Sequence, residues 1–277
     1  MKNVLMAQPR QKRTETAIRL SERIVEVATY VICRTLVDYQ DLLADERMSV
    51  AHAFLQRVTT THLCNQKLTK EGIVFQYKGE PFELHEEYKT MTLTRSVYEH
   101  LAMFYFLFEH PKSEEERQIV WKYWQINSKK NLLEDSEIEA LRKDILTTEL
   151  GRQCHKKLDE WTKVGTHPVI GSIEFVENGG KCDVKRLNYS QAWKYLFDDE
   201  DMESFYRHLS MHCHPVYDGL LQYQDQGMSD QGYDGIPLYL SSCFLAHLCR
   251  LFLKMIPEGD KLLKSEFCNE VFRDFQL

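Results

Sequence analysis

The sequence predicts a mainly α-helical protein with two small β-hairpin insertions, on three observations. Apolar residues recur at helical spacing along most of the chain, as at Leu20, Ile24, Val27 and Val31. β-Branched and aromatic residues gather around turn residues in only two stretches, one at Lys78-Gly79 and one at Asn178-Gly179-Gly180. Across 277 residues there is no internal repeat, no low-complexity segment and no long interior linker. These features point to one helical domain over 1–277, with a core at 84–256 and N-terminal helices at 14–70 packed on it.

Each element has its own signal. Thr14 to Ala44 lacks Gly and Pro and carries an apolar stripe, which predicts a long first helix. Met48 to Leu68 continues with Val50, Ala51, Phe54, Leu55 and Val58 as a second helix, and Gly72 breaks the pattern. Ile73 to Phe82 reads as a hairpin. Tyr88 to Glu109, bounded by Pro111, is the strongest helix, with Met91, Val97, Tyr98 and Leu101 leading into an apolar run. Ser113 to Asn127 opens on a capping-box-like S-E-E-E and places Trp121 and Trp124 on one face. Asp135 to Val164 repeats the helical pattern, and Val169 to Leu187 is the second hairpin. A short helix at Ser190 to Phe197 precedes acids at Asp198 to Asp201, which favour a helix start near Met202. Asp225 to Gly235 is rich in Gly and Asp and reads as a loop. Pro237 then opens an apolar helix to Ile256, and Gly259 separates it from a last helix ending near Phe275.

Composition limits the function classes. The formal net charge is −7, which argues against broad, sequence-blind binding to nucleic acid but allows a local basic site. The 8 cysteines form no C-x2-C pair, so they read as buried or free thiols in a reducing compartment. The most apolar run, Leu101 to Phe108, spans about 12 Å of helix where a bilayer needs about 30 Å, so no membrane partner is expected. The N-terminal segment is basic without an apolar stretch of signal-peptide length, and the expected location is the cytoplasm. No G-x-x-x-x-G-K-[ST] or G-x-G-x-x-G is present, and no cofactor is expected.

Chemistry concentrates in Ser204 to Tyr217, S-F-Y-R-H-L-S-M-H-C-H-P-V-Y. On a helix advancing about 100° per residue, Ser210 and His214 share a side with Arg207, while His208 and His212 form a separate i, i+4 pair. Pro215 ends or kinks the helix near His214. A second constellation is Arg95-Ser96-Val97-Tyr98-Glu99, where Arg95 and Glu99 lie four apart in an otherwise apolar segment. A charge held in a core helix needs a partner, so this pair either faces the polar side of the Ser204–Tyr217 helix or solvates its own face. The bare R-x4-H pattern occurs at Arg47/His52, Arg57/His62, Arg95/His100 and Arg207/His212, and by itself is uninformative. Only the last adds His214 as an alternative histidine and a helix-breaking proline.

Other readings of these residues stay open. Arg207 and its histidines can be a solvated or internally satisfied structural set. His208 and His212 have spacing suited to two metal-bound imidazoles, without the glutamate of H-E-x-x-H. Ser210 lacks the glycines of a nucleophile elbow, which argues against serine-hydrolase chemistry.

Together, R-S-V-Y-E at 95–99 and Y-R-H-L-S-M-H-C-H-P at 206–215 resemble a bacterial helical family of uncharacterised function with R-x3-E and Y-x2-L-S-x3-H motifs. Through the Arg…His pattern the chain also resembles the HEPN superfamily, many members of which are metal-independent RNases of toxin–antitoxin, CRISPR and phage-defence systems. The resemblance covers roughly Tyr88 to Tyr223. It implies a HEPN-like helical bundle, RNA as partner, a homodimer completed across a two-fold axis, and a protein antitoxin or defence partner. In such a site a base takes the proton of a 2′-hydroxyl and a cation stabilises charge on the phosphate. His214, or His212 in its place, would be the base or acid, Arg207 the phosphate fork, Glu99 its orienting carboxylate, and Arg95 a second cation, with Ser210 alongside. The alternative is a non-catalytic binding or scaffold protein in which Arg95, Glu99, Arg207 and His214 form a structural polar network.

Overall fold

The computed structural model describes residues 9–71, 73–84, 87–114, 117–118, 120–121, 124, 175–178, 181–184, 196–197, 201–213 and 235–275. The described chain is mostly helical. It groups into two compact units, one of residues 1–101 and 204–277 and the other of residues 102–203.

The first unit is built on three helices that pack on one another: α1 (Arg10–Asp38), α2 (Glu46–Glu71) and α5 (Ile236–Leu253). The stripe anticipated on α1 is the one that is buried, through Ala17, Leu20, Ile24, Val27, Ala28 and Val31. α2 contributes Ala51, Leu55 and Val58. α5 is apolar on nearly every side and buried on nearly every side, as a helix surrounded by others must be. It has the length and composition of a membrane span, but most of it is covered by this unit.

Gly235 sets the start of α5. Its φ is +72°, and a Cβ there would come within 2.8 Å of the Thr14 Cα, so the turn into α5 sits directly against α1. At the other end, Glu258 and Gly259 turn the chain, with Glu258 at φ 59°. Beyond the turn lie α6 (Gly259–Leu263) and α7 (Glu266–Asp274), where the sequence suggests one continuous helix. Ser265 divides them by capping α7 with its hydroxyl, 3.3 Å from the Cys268 N–H. α7 is tied to α1 by Arg23, which pairs with Glu270 and Asp274, and by an edge contact of Tyr30 on Phe267.

The first long helix is also divided. α1 ends at Asp38, and a 3₁₀ turn at Gln40–Ala44 precedes Asp45, whose carboxylate accepts from the Met48 N–H at 2.9 Å and caps α2.

Between α2 and α3 (Glu87–Phe104) lie antiparallel strands β1 (Ile73–Tyr77) and β2 (Glu80–Leu84), paired from Ile73 opposite Leu84 to Tyr77 opposite Glu80. Lys78 and Gly79 have φ of 54° and 84°, the left-handed pair of a two-residue turn that follows the strand twist. α3 is anchored in the first unit by Met91, Val97, Tyr98 and Leu101, all buried.

A set of buried polar groups joins these helices. The His62 ring on α2 lies between two hydroxyls, Nε2 at 2.8 Å from Ser21 Oγ of α1 and Nδ1 at 2.7 Å from Ser241 Oγ of α5. Gln66 donates to Ser21 Oγ. Asn65 donates to Thr94 Oγ1, which lies 2.9 Å from the Pro237 carbonyl. Burial pushes the His62 imidazole down to about 3.

In the second unit, Tyr105–Glu109 forms a π-turn closed by His110 N–H to the Tyr105 carbonyl at 2.9 Å, just before Pro111. Phe108 meets Trp121, and Trp121 meets Trp124. Strands β3 (Phe175–Asn178) and β4 (Lys181–Val184) pair with Asn178 opposite Lys181. The boundaries between the units fall inside α3 and inside α4 (Asp201–Cys213). The expected helix at Asp135–Val164 and the Asp225–Asp234 part of the expected loop lie outside the described residues, as does the expected helix at Ser190–Phe197 except for Leu196 and Phe197.

Candidate functional site

Within the first unit, α3 and α4 bring together the two motif segments. On α3, Thr94, Val97, Tyr98 and Leu101 take the core face, which leaves Arg95 and Glu99 at its margin. On α4, Leu209 is buried and Tyr206 lies beside it on the same side of the helix. The Tyr206 ring packs on Tyr98 at 5.1 Å between centroids, and Tyr98 in turn packs on Phe244 of α5 at 5.4 Å. An aromatic column therefore fixes α4 against α3 and the central helix.

Glu99 is the centre of the polar cluster. Its Oε1 accepts from Arg95 Nε at 2.7 Å and from the Tyr206 hydroxyl at 3.2 Å, the latter across 107 residues of sequence. The Arg95 guanidinium lies over the Tyr206 ring, 5.6 Å from its centroid. Ser210 donates to the Tyr206 carbonyl at 2.9 Å, a bond within its own helix. The side chains of Arg95 and Glu99 are 19% and 28% exposed, so the cluster is half-closed and reachable from solvent. Burial raises the Tyr206 phenol, and the neighbouring Glu99 charge raises it further. Tyr206 is therefore a donor, and Glu99 has a partner on each helix.

Arg95 and Glu99 form one pair and meet α4 through Tyr206. Arg207 occupies the exposed side of α4. Ser210 is half-buried and bonded to its own helix. His208 is half-buried, lies near the Phe205 ring, and is lowered by burial. The backbone of His212 is helical while its side chain lies outside the described residues, and His214 lies wholly outside them. Among the described residues no three His, Cys, Asp or Glu side chains converge as metal ligands.

Tyr206 is the member of the cluster that was not expected among the site residues. Its signal was in the sequence, as the first position of Y-x2-L-S-x3-H. A tyrosine at the start of an amphipathic helix reads first as core, and only the partner helix reveals that its hydroxyl meets a carboxylate. The His62 junction had no comparable signal, because serines 21 and 241 lie far from it in sequence.

A family model described as a family of unknown function, DUF5677, matches residues 84–233. No curated protein and no solved structure gives a significant match.

Proposed function

Because the chain belongs to the DUF5677 family, whose function is unknown, its activity must be argued from its site, and we propose that it is a HEPN-like, metal-independent endoribonuclease of defence or toxin type. The observation that carries this reading is the meeting of Arg95, Glu99 and Tyr206 from two motifs 107 residues apart, in a cluster that solvent can reach. Arginine at such a place is a permanent, planar cation matched to phosphate oxygens, in a chain whose net charge of −7 gives phosphate no general welcome. Arg207 on the exposed side of α4 is the phosphate fork, and Arg95, held in position by Glu99, is the second cation. His214, or His212, moves the proton of the 2′-hydroxyl at near-neutral pH. Two copies of the chain form the working unit, with their α4 helices facing each other. A protein antitoxin or defence partner controls the activity, and RNA is the substrate.

One observation favours the second reading, a non-catalytic binding or scaffold protein. Glu99 is satisfied from both helices, which suits a structural tie between α3 and α4.

The test is cleavage of a mixed RNA panel in EDTA by the wild type, Arg207→Ala and His214→Ala, each checked for helicity. The ribonuclease reading expects metal-independent cleavage by the wild type and a fall of about 100-fold or more in both folded variants. Folded wild type that leaves all RNA intact supports the binding protein, and unfolding of both variants makes the motif structural.

A further inference from the structure

The outer face of α1 near its C-terminus is apolar where a surface helix is ordinarily polar. Tyr30, Cys33, Leu36 and Val37 fall within about 120° of the helix circumference, on the side away from the core stripe. Val37 is 78% exposed, Leu36 44% and Tyr30 42%. α7 adds Phe267, 44% exposed, whose ring meets Tyr30 edge-on at 6.1 Å between centroids. Of the large apolar side chains exposed among the described residues, only Leu63 lies elsewhere. Single exposed apolar residues are ordinary, but a group gathered on one face marks an interaction surface.

The anchors are held still before anything docks. Arg34 Nη1 donates to the Tyr30 hydroxyl at 2.7 Å, and its guanidinium lies 5.9 Å from the Tyr30 ring centroid. Arg34 also pairs with Asp38 and with Glu258, 3.1 and 3.9 Å away. On the other side of Tyr30, Arg23 ties α1 to Glu270 and Asp274 of α7. Docking therefore costs little ordering of these side chains.

The charge around the face selects the occupant. Asp38, Glu258 and Glu270 are each about half exposed, and Glu26 lies exposed one turn before Tyr30. With Asp274, these carboxylates outnumber Arg23, Arg34 and Lys261, the cations beside them. A negative rim repels phosphate, whether of nucleic acid or of an anionic lipid surface. A second copy docking by the same face would set this rim against itself. A cationic protein suits both the apolar centre and the rim. Tyr30 to Val37 covers two helical turns, about 10 Å, the length over which a docked helix presents anchors at i, i+3 or i+4, and i+7.

We propose that this face docks a basic amphipathic helix of a protein partner, with apolar side chains over Tyr30, Val37 and Phe267 and lysines or arginines against the surrounding carboxylates. The face shares no residue with the α3–α4 cluster and does not depend on the ribonuclease reading.

The test uses the full chain and a fluorescein-labelled amphipathic peptide of leucine and lysine, about 18 residues long, with the same peptide carrying glutamate for lysine as control. Binding is followed by fluorescence anisotropy. The wild type binds the lysine peptide and binds the glutamate peptide about tenfold or more weaker. Val37→Ser and Phe267→Ser each weaken the lysine peptide about tenfold or more, while Leu63→Ser, away from the face, leaves it unchanged. Asp38→Asn combined with Glu270→Gln narrows the difference between the two peptides. Val37 is so exposed that its replacement spares the core, which keeps the test decisive if Phe267→Ser fails to fold. Equal binding of the two peptides, binding of neither, or unchanged binding by Val37→Ser overturns the docking face.

Light scattering of Val37→Ser should give the mass of the wild type. A fall from dimer to monomer would assign the face to a second copy and overturn the proposal. Neither arm reads RNA cleavage, so a failed docking face leaves the ribonuclease reading standing. Wild type that binds the lysine peptide through Val37 while cleaving no RNA keeps the docking face and removes the ribonuclease reading.

Discussion

At the scale of single residues, two groups carry tests that separate structure from chemistry. Tyr206→Phe keeps the ring on Tyr98 and under Arg95 and removes only the hydroxyl that reaches Glu99. Its expected cost is about 1 kcal/mol of folding stability by urea titration, since one hydrogen bond to a part-exposed carboxylate is lost. An unchanged midpoint would show that the Tyr206 hydroxyl does not hold α4 in place. His62 tests the polar junction through pH. Its folded value of about 3 lies below the ordinary histidine value of 6.5, so the folded state prefers the neutral ring. Stability is complete above about pH 6.5, and as pH falls toward 3 the unfolded chain takes up the proton first. Each pH unit in that window lowers the folding constant by up to about tenfold. Urea titrations at about pH 7 and about pH 5 should therefore differ by roughly 1–2 kcal/mol from this group, a share missing in His62→Gln. Equal pH slopes in the two proteins would contradict the assignment.

At the scale of elements, the sequence was most readable where periodicity alone decides, and least readable where a local cap decides. The α1 stripe, the Lys78-Gly79 turn and the apolar α5 follow from residue spacing and type. The break after Asp38 and the division at Ser265 do not, because Asp45 and Ser265 act through single hydrogen bonds that no Gly or Pro announces. The meeting of α3 and α4 was equally hidden. Arg95 and Glu99 showed a pair in search of a partner, and the geometry supplies Tyr206, one position before Arg207. One residue along a helix is a rotation of about 100°, enough to exchange a facing side chain for a solvent one. Gly235→Ala tests the packing of elements. A methyl group there would crowd the Thr14 backbone on α1 and force a left-handed conformation on an alanine. A loss of about 1–3 kcal/mol, read as a lower melting temperature, is expected. A melting temperature equal to the wild type would mean that α1 and the start of α5 are not in the close contact described.

At the scale of the whole molecule, the proposed function asks for two copies and for RNA. Light scattering of the purified chain should give twice the 32.8 kDa of one copy, and a monomer at working concentration would remove the face-to-face arrangement of α4. The central claim is that the protein uses the 2′-hydroxyl of RNA as the nucleophile without a metal, and the chemistry of the product ends tests it most directly. RNA incubated with the protein in EDTA, with the products analysed by mass spectrometry, should carry 2′,3′-cyclic phosphate and 5′-hydroxyl ends, and a substrate with deoxyribose at the cut position should stay whole. Ends bearing 5′-phosphate and 3′-hydroxyl, or no cleavage by the folded protein, would contradict it.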